Sequence, residues 1–447
     1  MPLPRWIAVS VLAKAQEATA IRSLYPYIGT LAAELSTTAT NVALCISLKE
    51  LSFTMAPLFA PALRAKVGTV RLRLGAGLTV SSCILLIGLL SSFELFAVLV
   101  FVLGGAKALA DTGSQCLLTE HIPREDVGRA TAVNELSWGL SSLVGVPLFG
   151  LLMSVGWALP WLVYAGVGVL CFFGLKATLP RDAAPAPAAA EAEAPPADAA
   201  AAAAPPADAA GGGGVRGMLG RYGTLLRSPQ GRAVAFGVML LTVCADALFS
   251  SFGLWLEEAH GLDLKAVAVA AMAMGVADIS AELVLAAVIG RLSPPQCMTA
   301  GWALQGAVYL ALPSLTAAST GVVASVVAFG VQVFAFEFTI VALMATSSFD
   351  SAVSGGREGD LESLQFTCAG IGRIVGAPLG LALLDVGRKV GGDASLLLGV
   401  GRMGACCSLA GFSLAAWSLT HRPEESDGAV AVEGGQVGLE KDESVAP

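Results

Sequence analysis

Asp278 and Glu282 stand four residues apart inside an apolar stretch, so a helix would put both carboxyl groups on one face, where each disfavours ionisation of the other. Asp246 and Glu337 occupy two further apolar stretches, and the cations nearby in the same half of the chain are Arg373 and Arg402. A carboxylate without a cationic partner in a low-dielectric setting tends to hold a proton near neutral pH, which is what a proton-carrying site needs. Asp278 and Glu282 are expected to titrate as a coupled pair, shared with Arg373 if its helix is close. The plainer alternative for each acid is a static salt bridge. In the first half the interior charges balance: Lys14, Arg22, Lys49 and Lys107 against Glu17, Glu50, Asp111 and Glu135. Lys107 and Asp111 have the spacing of a simple helical ion pair. Glu17, Arg22, Lys49 and Glu50 read as the opposing wall of a cavity, with static pairing among them the equal alternative. Trp138 and Trp255, with Gln115, Gln332 and Gln365, lie on helices expected to line it; packing against neighbours is the plainer reading for each, and the alternative for the two indoles is to offer faces for a planar or sugar-like solute.

The elements that must carry these residues are membrane helices. Hydrophobic residues make up 55% of the chain and charged residues 13%, with a mean hydropathy of +0.74, far from the balance of a soluble domain. Crossing the hydrocarbon takes about 20 apolar residues. Spans are predicted near 6–34, 38–63, 75–92, 95–118, 130–154 and 156–177, then 233–257, 264–291, 298–316, 321–346, 363–385 and 395–420. As drawn, the third, sixth and ninth carry no interior charge and the twelfth holds only Arg402. A charge at mid-bilayer costs about 2.5 to 3.5 kcal/mol on insertion scales, so charges on two helices of every three must face a wet interior. Three-helix repeats with every third helix against lipid produce that rhythm.

Basic loops set the orientation. Arg64, Lys66, Arg71 and Arg73 are read as the loop between spans two and three, with Arg124 and Arg129 after span four. Lys176, Arg181, Arg216, Arg221, Arg227 and Arg232 follow in the central connection, and both termini are expected to be cytoplasmic. Lys265, Arg388 and Lys389 fall on the opposite face, the last two against the rule. The expected domains are residues 1–179, a six-helix bundle; 180–232, a cytoplasmic linker; 233–421, a second six-helix bundle; and 422–447, an acidic disordered tail. Residues 182–214 are low-complexity Ala, Pro, Gly, Asp and Glu, while 215–232 suggest either a basic helix on the membrane surface or an extension of span seven. The net charge of −8 owes much to the tail. The nine cysteines, in no paired extracellular spacing, are expected to be free. Tyr25-Pro26-Tyr27, near the outer end of span one, reads as an interfacial aromatic anchor or an outer gate.

Gly145-Val-Pro147 in span five and Gly376-Ala-Pro378 in span eleven have the same rank in their halves, and a Gly beside a Pro loosens the helical ladder and admits a close neighbour. Bends at a moving interface are expected at both. Together with Glu135-Leu-Ser-Trp138, Gly145-Val-Pro147-Leu-Phe-Gly150, Gly253-Leu-Trp255-Leu-Glu257, Ala277-Asp278-Ile-Ser-Ala-Glu282 and Phe336-Glu337-Phe338, these motifs resemble the major facilitator superfamily. The likeness is to its twelve-span exporter branch of drug:proton antiporters and sugar efflux permeases, and it covers nearly everything but linker and tail. It implies an all-α integral membrane fold of twelve transmembrane helices in two pseudo-symmetric six-helix bundles. It further implies a secondary transporter that exports a small organic solute, coupled to protons, functional as a monomer in the bilayer, with Lys107 placed to contact solute or the proton path. In that family the loop between spans two and three carries an acid shortly before a glycine and helps lock one conformation. Here Ala65 stands where the acid belongs, shortly before Gly68, which favours the alternative of an uncoupled facilitator; a transporter-like receptor or scaffold without flux is a further alternative.

Other classes fit poorly. His121, His260 and His421 all fall in loops or at span ends, away from any Ser-His or histidine metal site within the membrane, so no enzyme, metal centre or cofactor is expected. Gly104-Gly105-Ala106-Lys107 lacks phosphate-loop spacing. No basic patch interleaved with aromatics suggests nucleic acid.

Overall fold

The computed structural model describes residues 4–180, 220, 222–288, 291–315, 321–349, 358–390 and 397–420. The low-complexity linker, His421 and the acidic tail lie outside the described residues. The first half comprises α1 (Arg5–Arg22), α2 (Ile28–Glu34), α3 (Ala39–Met55), α4 (Ala60–Val67), α5 (Thr69–Leu89), α6 (Phe93–His121), α7 (Arg124–Leu140), α8 (Val146–Met153) and α9 (Ala158–Thr178). The second comprises α10 (Pro229–His260), α11 (Leu264–Val288), α12 (Pro294–Leu315), α13 (Val322–Phe349), α14 (Glu358–Val390) and α15 (Leu398–Thr420). The architecture is all-α, and ten helices among the described residues are long and apolar enough to cross a membrane. The two remaining predicted spans are present as helices: the first is the pair α1 and α2, broken around Pro26 and diluted by Lys14, Glu17 and Arg22, and the ninth is α12.

Helix ends follow local chemistry. Thr38 caps α3 and Ser228 caps α10 through side-chain oxygens that accept backbone N–H bonds. Gly68, at φ 86°, makes the whole turn from α4 to α5, a conformation that costs glycine little. That single-residue turn corrects the loop predicted there: α5 begins at Thr69, so Arg73 belongs to the third crossing and is 1% exposed. The charge-free third span therefore does not exist. In the central connection, Tyr222 and Leu225 are buried in the core of the second half, and Arg232 lies over the Trp417 ring at 4.7 Å. Arg388, the exception to the orientation rule, is held by Glu258 and Asp385, so its charge is locally neutralised.

Within the first half α5 packs on α6 and α9, α3 on α6, and α1 on α7 and α9; within the second, α10 packs on α14 and α15, α12 on α13 and α15, and α11 on α13. The halves meet through α3 with α14 and through α8 with α11. At the predicted outer end they approach closely: a methyl group on Gly253 would fall 1.8 Å from the Pro26 carbonyl oxygen, and one on Gly29 would fall 2.7 Å from Glu257 Oε2.

The two Gly-Pro motifs differ. A single π-helical turn, Ser141–Gly145, interrupts the fifth crossing just before Pro147, whereas α14 runs unbroken through Pro378. Gly145 faces Thr19 of α1, and Gly376 faces Asp246 of α10. The fifth crossing is thus interrupted at its motif while the eleventh stays continuous, and in both the glycine permits close approach of a neighbouring helix.

Candidate functional site

Besides the peripheral pairs of Arg64 with Glu120 and of Arg388 with Glu258 and Asp385, the described ion pairs form three groups. In the first half, Lys14 Nζ lies 2.6 Å from Glu135 Oε1, which also accepts from Gln115 Nε2 at 2.8 Å. Arg73 Nη1 lies 2.7 Å from Glu17 Oε1, with both side chains almost fully buried. Lys107 is completely buried, paired with Asp111 and 4.0 Å from Glu17 Oε2. The Lys107–Asp111 pair expected from spacing is thus one link in a longer chain. Arg73 is the member that sequence reasoning missed.

The second group crosses between halves. Arg22 at the end of α1 donates to Asp278 Oδ2 at 2.7 Å and to Ser142 Oγ in the π turn, and lies 3.8 Å from Glu337 Oε1 on α13. The partner of Asp278 is therefore Arg22, and the pairing expected with Arg373 does not form, because α14 sits against α3 and α10 on the other side of the bundle. Glu282, one helical turn from Asp278, is partly exposed and forms no ion pair among the described residues. The third group, also between halves, joins Glu50 of α3 to Arg373 of α14 at 4.0 Å, while Lys49 Nζ lies 2.6 Å from Glu50 Oε1. Tyr25 bridges this group to Asp246 of α10. Arg402 is exposed and joins none of them.

Trp138 stands where the first two groups meet. Arg22 lies 4.8 Å, Lys107 5.0 Å and Lys14 5.9 Å from its ring, so three cations share one indole. Each such contact is worth about 0.5 to 2 kcal/mol, depending on desolvation. Trp138→Leu is expected to lower the apparent melting temperature, with Trp138→Phe intermediate because phenyl keeps part of the ring quadrupole; equal melting of all three would show that the cations need no aromatic partner. Trp255 does not share this place. It is fully buried, packed against Phe252 and edge-on to His260, so the cavity-lining alternative for it is corrected to core packing near the outer end. Gln332 and Gln365 are likewise buried inside the second half, bonded to Gln305 and to the Leu343 carbonyl. The nine cysteines are free.

The partly exposed members of these groups are Arg22, Arg373, Glu135, Asp111 and, less so, Glu337, with side-chain exposures of 27%, 32%, 38%, 20% and 15%. Their partners Lys14, Lys107, Glu50 and Asp278 are buried behind them.

Comparison with known proteins agrees with this architecture. The model of the Major Facilitator Superfamily matches residues 12–377. A bacterial homologue of the human lysosomal transporter Spinster, solved in an inward-facing and unoccupied conformation, superposes with a TM-score of 0.62 at 14% identity, covering 93% of this chain and 95% of its own. The same homologue in an occupied conformation gives the same score and identity, over 92% of this chain. A variant of the nucleoside transporter NupG gives a TM-score of 0.67 at 13% identity, covering 93% of this chain and 99% of its own. No curated protein sequence matches the chain. The structural likenesses show the fold, and the sequence model spans most of the 447 residues: the chain belongs to the Major Facilitator Superfamily of membrane transporters.

Proposed function

We propose that this protein is a proton-coupled secondary transporter that exports a small organic solute by alternating access. The observation that carries the reading is the ion pair between Arg22 of the first half and Asp278 of the second, with Glu337 and Glu282 beside it. Alternating access rocks one half against the other around a central site, so a bond between halves at that depth must open in each cycle. Separating a buried arginine from an ionised carboxylate leaves an uncompensated charge, at a cost of about 3 to 5 kcal/mol. Protonating the acid removes most of that cost and ties the motion to proton binding. The acid surplus of Asp246, Asp278, Glu282 and Glu337 over Arg373 in the second half supplies the proton-binding groups. Arg22, Asp111, Glu135 and Trp138 make the solute wall of the first half. Export follows the likeness of Glu135–Trp138 and Gly145–Gly150 to exporter motifs.

The test is a solute panel in proteoliposomes with an imposed pH gradient. Wild type should accumulate its solute against a concentration difference, and Asp278→Asn, Glu282→Gln and Glu337→Gln should each lose at least about tenfold of that accumulation while keeping downhill counterflow. Gradient-driven accumulation that survives all three neutral variants would remove these acids from the coupling step. Ala65, exposed in α4 where the family has its acid, favours the alternative of an uncoupled facilitator, which predicts equal transport with the gradient dissipated.

A further inference from the structure

Tyr25 follows α1, in the break before α2. Its hydroxyl is turned inward, 3.1 Å from Glu50 Oε1 on α3 and 3.0 Å from Asp246 Oδ2 on α10. The three residues are 9%, 4% and 5% exposed, so solvent does not mediate between them. A phenol carries one proton, and an ionised carboxylate can only accept. Tyr25 therefore donates to one of the two acids, and its contact with the other is attractive only if that acid carries a proton and donates to the phenol oxygen.

Neighbouring charges decide which acid that is. Glu50 has Lys49 Nζ at 2.6 Å and Arg373 Nη1 at 4.0 Å, whereas Asp246 forms no salt bridge among the described residues. The groups facing the cluster are Lys49 and Glu50 from α3, Asp246 from α10 and Arg373 from α14, with Lys49 Nζ 4.9 Å above the Tyr25 ring. Burying an ionised carboxylate without a cation is far costlier than burying a neutral acid. Gly376 completes the geometry, since a methyl group there would fall 2.7 Å from Asp246 Cβ.

We infer that Asp246, Tyr25 and Glu50 form a proton relay between the two halves, in which neutral Asp246 donates to Tyr25 and Tyr25 donates to ionised Glu50. In the transfer step the Tyr25 O–H bond breaks and its proton joins Glu50 Oε1, while the Asp246 O–H bond breaks and its proton joins the phenol oxygen. Tyr25 ends as neutral as it began, the negative charge moves from Glu50 to Asp246, and one proton passes from the second half to the first. The transfer takes from Arg373 its ionised partner across the interface, Glu50. This role in transport rests on the proton-coupled reading above; the relay itself does not.

Infrared spectroscopy of the full-length protein in liposomes, without solute, tests it at neutral pH. Wild type should show a carboxylic-acid C=O band that Asp246→Asn removes and that Tyr25→Phe shifts upward by deleting the acceptor of the acid's hydrogen bond. A band unchanged in Asp246→Asn, or unmoved in Tyr25→Phe, overturns the relay. Tyr25→Phe deletes one hydroxyl and carries the test if the asparagine variant does not fold. A band that behaves as expected in a protein showing no gradient-driven transport would overturn the coupling reading and leave the relay standing.

Discussion

Arg73→Met is expected to destabilise the protein by about 3 to 5 kcal/mol, because it leaves the Glu17 carboxylate buried without its principal cation. Arg73 and Glu17 are 1% and 2% exposed, and the remaining cation near Glu17 is Lys107 at 4.0 Å, itself engaged by Asp111. The methionine keeps the Cα and Cβ that pack against Gly113 and fills much of the stem of the arginine, so lost charge is the larger part of what the variant reads. The double variant Arg73→Met with Glu17→Gln should recover most of the loss, since removing both members of a buried pair is often nearly neutral. Thermal unfolding in detergent, followed by exposure of the buried native thiols, measures both. If the double variant melts no higher than the single one, the pair is not what Arg73 contributes.

Gly253→Val is expected to deplete the conformation closed at the outer end by at least about tenfold, shifting the population toward an open one. The reason is steric. The position a Cβ would take lies 1.8 Å from the Pro26 carbonyl oxygen and 2.7 Å from its carbon, and backbone cannot give way as a flexible side chain can. The rest of α10 should tolerate the change, because glycine is a poor helix former. Spin labels at Thr37 and Asp263, in the turns on either side of this contact, should move apart in the variant and return in Gly253→Ser only in part. An unchanged distance distribution would show that the halves do not close through Gly253.

Hydropathy and the presence of buried charge were readable from residue order because both are properties of each residue's own transfer between water and an apolar medium. The twelve crossings and the acids at 246, 278, 282 and 337 follow from that level, while the close approach at Gly145 and Gly376 follows from the missing side chain. Arg73 shows its limit: a charged residue one turn into a helix looks the same in a hydropathy window as one in a loop, and only the one-residue turn at Gly68 distinguishes them.

The partner of each charge is a different kind of fact. Asp278 binds Arg22 across 256 residues, and Glu50 approaches Arg373 although neither is near the other in sequence. Coulomb attraction acts over distances in space, so the packing of α11 against the π turn and of α14 against α3 decides which acids and bases meet. The same holds for Tyr25, whose surroundings read as a membrane anchor along the chain and as a bridge between carboxylates in the folded protein. Residue order by itself determined a polytopic membrane protein with ionisable groups that must be sheltered from lipid. Tertiary structure alone decided how those groups are paired, and which pairs join the two halves, because pairing depends on helix neighbours that are hundreds of residues apart.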